Sequence, residues 1–89
     1  MTYFARTIAF SPDDERVHEV RPAHREYVAQ LHARGAIRMS GPCAQGDGAL
    51  LIYNAESRAV AERLIAEDPY CVHAVVDEVS LREWNVVVE

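Results

Sequence analysis

The sequence contains no lysine, and its nine basic residues, all arginine, form no cluster or stripe. Fourteen acidic residues outnumber them and give a formal charge of −5. Because non-specific nucleic-acid binding draws its affinity from neutralised phosphates, this balance argues against a nucleic-acid partner. An anionic membrane surface would repel the chain as well. We therefore expect neither nucleic acid nor membrane among its partners.

Long apolar runs and paired cysteines are also missing. No apolar segment approaches the roughly 20 residues that a membrane-spanning helix needs, and the first residues lack the basic-then-apolar layout of a signal peptide. Cys43 and Cys71 lie too far apart for a typical zinc site, and the four histidines have no metal-ligand spacing. We expect a cytoplasmic protein with reduced thiols, no bound metal and one domain over residues 1–89.

Alternating apolar residues and turn residues predict four strands. The first is expected to be central, because neither of its faces is strongly polar apart from Arg6. A turn over residues 44–48 joins the second and third strands as a hairpin. The last strand changes phase, which predicts a bulge near Arg82–Glu83. The predicted strands are Tyr3–Phe10, Ala36–Cys43, Ala49–Tyr53 and Val75–Val88.

Two main helices and one loose helix are predicted between these strands. The first main helix runs from about Pro22, because proline suits a first turn, to Arg34, with Gly35 just beyond its end. A separate loose helix is expected before Pro22, since the residue preceding a proline avoids the α region. The second helix begins near Asn54–Ser57 and ends at Asp68, before Pro69.

The resulting β-α-β-β-α-β order is that of an α+β ferredoxin-like fold, an antiparallel sheet with helices on one face. The other face presents Tyr3, Ala5, Ala9 and parts of the last strand, which are too apolar to remain in contact with water. We therefore expect a homodimer in which two such sheet faces pack together.

His24 is the first candidate for chemistry. It lies one turn before Val28 and two before Leu31, so its ring leans toward the core at the expected helix start. It is either a packed structural histidine or a general acid or base, because only histidine changes charge near neutral pH without special help. The helix N-terminus disfavours the imidazolium and a nearby carboxylate favours it, so the sequence leaves the protonation state open.

Asp68 is the carboxylate that we would pair with His24. Aspartate before Pro69 commonly caps a following helical turn, and one oxygen can cap while the other faces a cleft. Arg21, near the expected helix start, is a candidate for binding an anionic substrate, and Tyr70 either lines the same cleft or packs.

Four short motifs occur in order along the chain: Arg21-Pro22-Ala23-His24, Gly35 after the first helix, Gly41-Pro42, and Asp68-Pro69-Tyr70. Together they resemble the YCII-related (YciI-like) family. The resemblance implies a ferredoxin-like fold of the dimeric α/β-barrel type and a proposed active site at His24 and Asp68. Members of the family include a dehydrochlorinase that acts on a chlorinated hydroxyhydroquinone. The hairpin loop over residues 44–48 is shorter than in some relatives, so a pocket that it shapes would differ from theirs.

The leading hypothesis is therefore a cofactor-independent enzyme that performs an elimination or isomerisation on a small aromatic or carbonyl compound. His24 and Asp68 would be catalytic, and Arg21 and Tyr70 would bind the substrate. The alternatives are a non-catalytic small-molecule-binding or accessory domain, and a dimer in which His24 and Asp68 only cap and pack.

Overall fold

A computed structural model describes all residues from 1 to 89. Four strands form one antiparallel sheet in the spatial order β2-β3-β1-β4. The strands are β1 (Thr2–Ala9), β2 (Ile37–Pro42), β3 (Gly48–Ala55) and β4 (Asp77–Trp84), and the helices are α1 (Glu15–Ala33), α2 (Arg58–Ala66) and the short α3 (Pro69–Val72). The α+β class, the β-α-β-β-α-β order and the central place of β1 are confirmed.

One face of the sheet carries the core. Five side chains on this face are each at most 1% exposed and face the helices: Phe4, Arg6 and Ile8 of β1, and Leu51 and Tyr53 of β3. The apolar members of this set belong to one cluster that also takes in residues from all three helices. The only charged side chain on this face of β1 is Arg6, which the apolar pattern had treated as an interruption. Because this buried positive charge needs partners, it pairs with the carboxylates of Asp68 and Glu78.

The first helix is continuous where the sequence predicted a break. α1 begins after Asp14, whose carboxylate accepts a hydrogen bond from the Arg16 backbone N–H, and it runs through Pro22. An interior proline costs a helix about 3 kcal/mol, but Pro22 faces solvent. The buried residues Val17, His24 and Leu31 recur at seven-residue intervals, so their packing stripe continues across the proline.

The end of α1 matches the prediction. Gly35 adopts a φ of +80°, and its N–H bonds the carbonyl of His32 while the next N–H, of Ala36, bonds that of Leu31. This is a Schellman motif, which favours glycine at this position. The second helix begins at the later of the two predicted residues, because Ser57 caps it and Asn54 remains in β3.

The predictions for the last strand were wrong in two respects. β4 ends at Trp84, and its bulge lies at Val79, not near Arg82–Glu83. Thr7 pairs with Ser80 and Ile8 with Glu78, so Val79 has no partner and is 60% exposed. The extra residue turns both Glu78 and Leu81 toward the helix side. The bulge therefore delivers a carboxylate to Arg6.

The other face of the sheet is apolar and partly exposed. Tyr3, Thr7 and Ile52 lie on it, and their cross-strand partners are Trp84, Leu50 and Met39. These three partners are 45%, 46% and 58% exposed, respectively. No helix of the structure has the length and apolar character needed to cross a bilayer.

Candidate active site

A cavity of about 610 Å³ lies between α1 and the β2–β3 hairpin. Its apolar wall includes Phe10, Val28 and Leu51, and the hairpin loop contributes Ala44 and Gly46. Four nitrogen-bearing side chains, all from α1, also line it: His18, Arg21, His24 and Arg25. No aspartate or glutamate is among the lining residues. The cavity is therefore a basic site in an acidic chain.

His24 lies at the boundary between this cavity and the core. The residue is 9% exposed, and its Nδ1 lies 2.8 Å from Oδ1 of Asp68. Its ring stacks on that of Tyr70, with centroids 3.8 Å apart and planes 8° from parallel. The other ring nitrogen, Nε2, has no hydrogen-bond partner in the protein. The ring is thus held on one edge and one face, and the edge that carries Nε2 is free for a ligand.

Asp68 is completely buried and fully bonded. Its Oδ1 accepts hydrogen bonds from His24 and from the Tyr70 backbone N–H, at 2.8 and 2.9 Å, and its Oδ2 accepts one from Arg6 at 2.7 Å. The capping role predicted for Asp68 is confirmed, since it is the N-cap of α3. The expectation that its second oxygen faces a cleft is wrong, because that oxygen meets a buried arginine.

The pKa of Asp68 is lowered from its ordinary value of 3.8. Burial opposes the charged form, but the hydrogen bonds from His24 and Arg6 outweigh it. An ionised carboxylate only accepts hydrogen bonds, so the proton between Asp68 and His24 lies on Nδ1. A neutral His24 therefore carries its lone pair on Nε2, the nitrogen that makes no hydrogen bond within the protein.

Arg6 is the member of this connected set of side chains that the sequence analysis missed. Its side chain is fully buried and bonds Glu78 through Nε at 2.8 Å and Nη2 at 2.6 Å. Nη1 reaches both Asp68 and the hydroxyl of Tyr53, and Nη2 also approaches Sγ of Cys71 at 3.3 Å. Burial disfavours its charge, yet the hydrogen bonds to the two carboxylates raise the pKa of Arg6. The one signal in the sequence was a charge within an apolar strand.

Arg21 and Tyr70 meet at the same place. Nε of Arg21 donates to the Tyr70 hydroxyl at 3.2 Å, and its guanidinium lies 5.7 Å from the centre of the Phe10 ring. Nη1 lies 3.3 Å from Nδ1 of His18, whose Nε2 lies 2.8 Å from the Pro12 carbonyl oxygen. Three neighbours thus fix the arginine beside the cavity. The structure brings His24, Asp68, Arg21 and Tyr70 into one connected group.

The placement of His24 changes one part of the expected electrostatics. Because α1 begins at Glu15, His24 lies in the middle of the helix and not in its first turn. The field of a helix terminus falls off within one turn, so it does not act on this ring. Of the two opposing influences that the sequence suggested, only the carboxylate of Asp68 is present.

The side chains form neither a cluster of metal ligands nor a disulfide. No three histidine, cysteine, aspartate or glutamate side chains converge on a point that a metal ion would occupy. Cys43 is exposed and Cys71 is half-buried, and the two are not bonded to each other. Burial raises the pKa of the Cys71 thiol to about 11.

The sequence model of the YCII-related domain matches residues 2–85. The chain belongs to the YCII-related family. Comparison with curated proteins found no match.

Among solved structures, this YCII-related chain is similar to the 5-chloro-2-hydroxyhydroquinone dehydrochlorinase from Burkholderia phenoliruptrix, in complex with 2,5-dihydroxybenzoquinone. The TM-score is 0.76 at 21% sequence identity, and the match covers 96% of this chain and 94% of that one. The two proteins share a fold over almost their whole length.

Proposed function

We propose that this YCII-related protein is a cofactor-independent enzyme that performs His/Asp acid–base chemistry on a small aromatic or carbonyl compound. The observation that carries the proposal is the hydrogen bonding of the two ring nitrogens of His24. Nδ1 bonds a buried carboxylate at 2.8 Å, whereas Nε2 is unbonded beside a cavity of about 610 Å³. A general base needs an oriented ring with an available lone pair.

The roles follow from this geometry. His24 takes a proton from the substrate through Nε2 and gains a positive charge, which the ionised Asp68 stabilises. In an elimination, the electron pair left by that proton expels a leaving anion. In an isomerisation, His24 returns the proton to a different atom. Arg21 and Tyr70 bind the substrate, and the stacked Tyr70 ring prevents the imidazole from rotating away from Asp68.

The size and lining of the cavity support the choice of substrate class. The cavity has an apolar wall formed by Phe10, Val28 and Leu51, and the basic side chains of α1 supply hydrogen-bond donors. The similar dehydrochlorinase binds 2,5-dihydroxybenzoquinone, a flat carbonyl compound. Dehydrochlorination of a related aromatic compound is therefore the first reaction to test.

The test measures chloride release from 5-chloro-2-hydroxyhydroquinone and deuterium uptake from D2O into hydroxylated quinones and cyclic ketones. The wild type should turn over at least one compound. His24→Gln should lower the rate by about 10²- to 10⁴-fold, the usual contribution of a general base. His32→Gln, an exposed histidine on the same helix, is the matched control and should retain activity. Full activity of both His24→Gln and Asp68→Asn would contradict the proposal.

The second candidate is a non-catalytic binding or accessory domain that uses the same cavity. It is favoured by the bonding of Asp68, because a cap and a buried ion pair would hold this carboxylate in place without any reaction. In that case 2,5-dihydroxybenzoquinone binds unchanged, and binding survives His24→Gln. The two candidates are separated by whether the bound compound is converted.

We also propose that the protein works as a homodimer, through the apolar sheet face, and in the cytoplasm. The exposure of Met39, Leu50 and Trp84 on one face supports the dimer, since an apolar patch of this kind commonly marks an interface. The sheet-to-sheet arrangement is that of a dimeric α/β barrel and leaves the cavity on the opposite side. The unpaired thiols fit a reducing compartment.

A further inference from the structure

The hydroxyl group of Tyr70 has a hydrogen that no protein atom accepts. Tyr70 is 2% exposed, and its hydroxyl oxygen accepts the N–H of Arg21 Nε. A phenol both donates and accepts, yet the donor half of this group is unused inside the protein. Because Tyr70 also lines the cavity, this unused O–H is available to a ligand atom there. That atom must be an acceptor.

The charge around this donor indicates an anion. The Arg21 guanidinium contacts the same hydroxyl oxygen, which polarises the O–H bond. The lining contains two arginines and two histidines but no carboxylate, although the whole chain carries a formal charge of −5. The carboxylates of Asp68 and Glu78 are not among the lining residues and are bonded to Arg6. Negative charge in the ligand would therefore be attracted by the arginines of the lining and would meet no carboxylate among the lining residues.

The stacking of His24 on Tyr70 places this donor next to the proposed base. The two rings are nearly parallel at 3.8 Å, so the Tyr70 hydroxyl extends from the edge of the ring that covers the imidazole. A flat substrate that presents a C–H to Nε2 would therefore have its oxygen substituent near the tyrosine and arginine donors. This juxtaposition of base and paired donors is the arrangement that enolate-forming reactions require.

We propose that the Tyr70 hydroxyl and the Arg21 guanidinium form an oxyanion site, and that the substrate is a planar carbonyl or phenolic compound whose oxygen bears negative charge when His24 removes a proton. This inference rests on the proposed acid–base function and specifies its substrate class. With a phenol, the O–H bond breaks, an N–H bond forms at Nε2 and the electron pair stays on the oxygen. With a carbonyl compound, the C–H bond breaks and an N–H bond forms at Nε2. The electron pair moves into a new C=C bond, the C=O bond becomes single, and the charge on oxygen is stabilised by Tyr70 and Arg21.

The experiment uses para-nitrophenol as a probe, because its phenolate absorbs visible light and the phenol does not. Binding of the phenolate is measured by absorbance titration, and binding of nitrobenzene, a neutral compound of similar shape, by displacement. The wild type should bind the phenolate about tenfold to a hundredfold more tightly than nitrobenzene, as expected for hydrogen bonds to a charged group. Tyr70→Phe keeps the stacked ring and should lose about tenfold in phenolate affinity, with nitrobenzene unaffected.

Arg21→Gln should give a comparable loss, and it provides a second variant that does not alter the buried ring. Arg25→Gln is the matched control, because Arg25 also lines the cavity but is exposed, and Arg21 is the arginine that bonds the Tyr70 hydroxyl. An equal loss in Arg25→Gln would overturn the oxyanion site in favour of a diffuse positive field. Unchanged phenolate affinity in Tyr70→Phe, or no phenolate binding by the wild type, would overturn it as well.

Failure of this inference is distinguishable from failure of the proposed function. Substrate turnover that survives Tyr70→Phe and Arg21→Gln, with no preference for the phenolate, overturns the oxyanion site and leaves the role of His24 intact. Selective phenolate binding by a protein that converts none of the tested compounds overturns the enzymatic function and supports the anion site alone.

Discussion

Arg6 and Asp68, 62 residues apart in sequence, form an ion pair with 2.7 Å between Nη1 and Oδ2, and neither side chain is exposed. Asp68 also bonds His24, so a chain of hydrogen bonds from Arg6 through Asp68 to His24 connects the core face of the sheet with the cavity. The pair therefore serves two ends. It compensates a charge that β1 places in the core, and it keeps the partner of His24 ionised.

Removing one member of this pair should destabilise the protein severely. Arg6→Met leaves Asp68 and Glu78 without their common cation, and breaking a buried pair typically costs about 3–5 kcal/mol. Urea denaturation followed by circular dichroism measures the change in the free energy of unfolding. The matched control is Arg38→Met, which removes the exposed pair with Glu89 and should cost less than about 1 kcal/mol. Equal midpoints for the two variants would contradict this account.

Stability should also fall in acid because of Asp68. Its pKa is lower in the folded state than its ordinary value of 3.8, so the unfolded state binds more protons in acid. The stabilisation is complete above that value and is lost as the pH falls through the folded-state pKa. Urea denaturation is measured from pH 7 down to about pH 2, and the urea concentration at the wild-type midpoint should decrease once the pH is below about 4. Asp68→Asn should show a shallower drop, and an identical acid profile would contradict the assignment.

The predictable parts of this fold are those that local chemistry determines. Gly35 and Asp68 were placed correctly because a left-handed residue and a helix cap each depend on a few neighbouring atoms. The error at Pro22 has the opposite origin. A proline predicts a boundary locally, but the buried stripe that includes Val17 and Leu31 overrides this preference through contacts that only the folded chain makes.

The candidate site shows the same division. His24 and Asp68 were found through short motifs, whereas Arg6 was missed because its partners lie 62 and 72 residues away. The bulge at Val79 was misplaced as well, and it turns Glu78 toward the helix side, where it bonds Arg6. A single buried charge in an apolar strand signals that partners exist. It does not say which carboxylates they are.

Dimerisation can be tested separately from chemistry because the apolar sheet face lies opposite the cavity. Leu50→Arg places a charge in the middle of this face and should convert the proposed dimer into a monomer, as measured by sedimentation velocity. Val72→Arg is the control, because Val72 is a 65% exposed apolar residue on α3, away from that face. A monomeric wild type, or a dimer that survives Leu50→Arg, would contradict the proposed interface.

The two thiols should react at different rates. Cys43 is exposed beside the hairpin, whereas Cys71 is half-buried and its pKa is raised to about 11, mainly by burial. Only the thiolate is nucleophilic, so iodoacetamide at pH 8 should alkylate Cys43 well before Cys71. Peptide mass spectrometry over a time course measures both rates in one sample. In urea the difference between the two alkylation rates should disappear. Comparable rates in the native protein, or faster labelling of Cys71, would contradict the packing around Arg6.

The two histidines that line the cavity from α1 should adopt opposite neutral tautomers. Nδ1 of His24 faces the ionised Asp68, which only accepts, so the proton lies on Nδ1. Nε2 of His18 faces the Pro12 carbonyl, and its Nδ1 accepts from Arg21, so its proton lies on Nε2. Long-range ¹H–¹⁵N NMR spectra at alkaline pH distinguish the two forms, and His18→Gln and His24→Gln assign the signals. Detection of the Nε2–H tautomer at His24 would remove the free lone pair on which its role as a base depends.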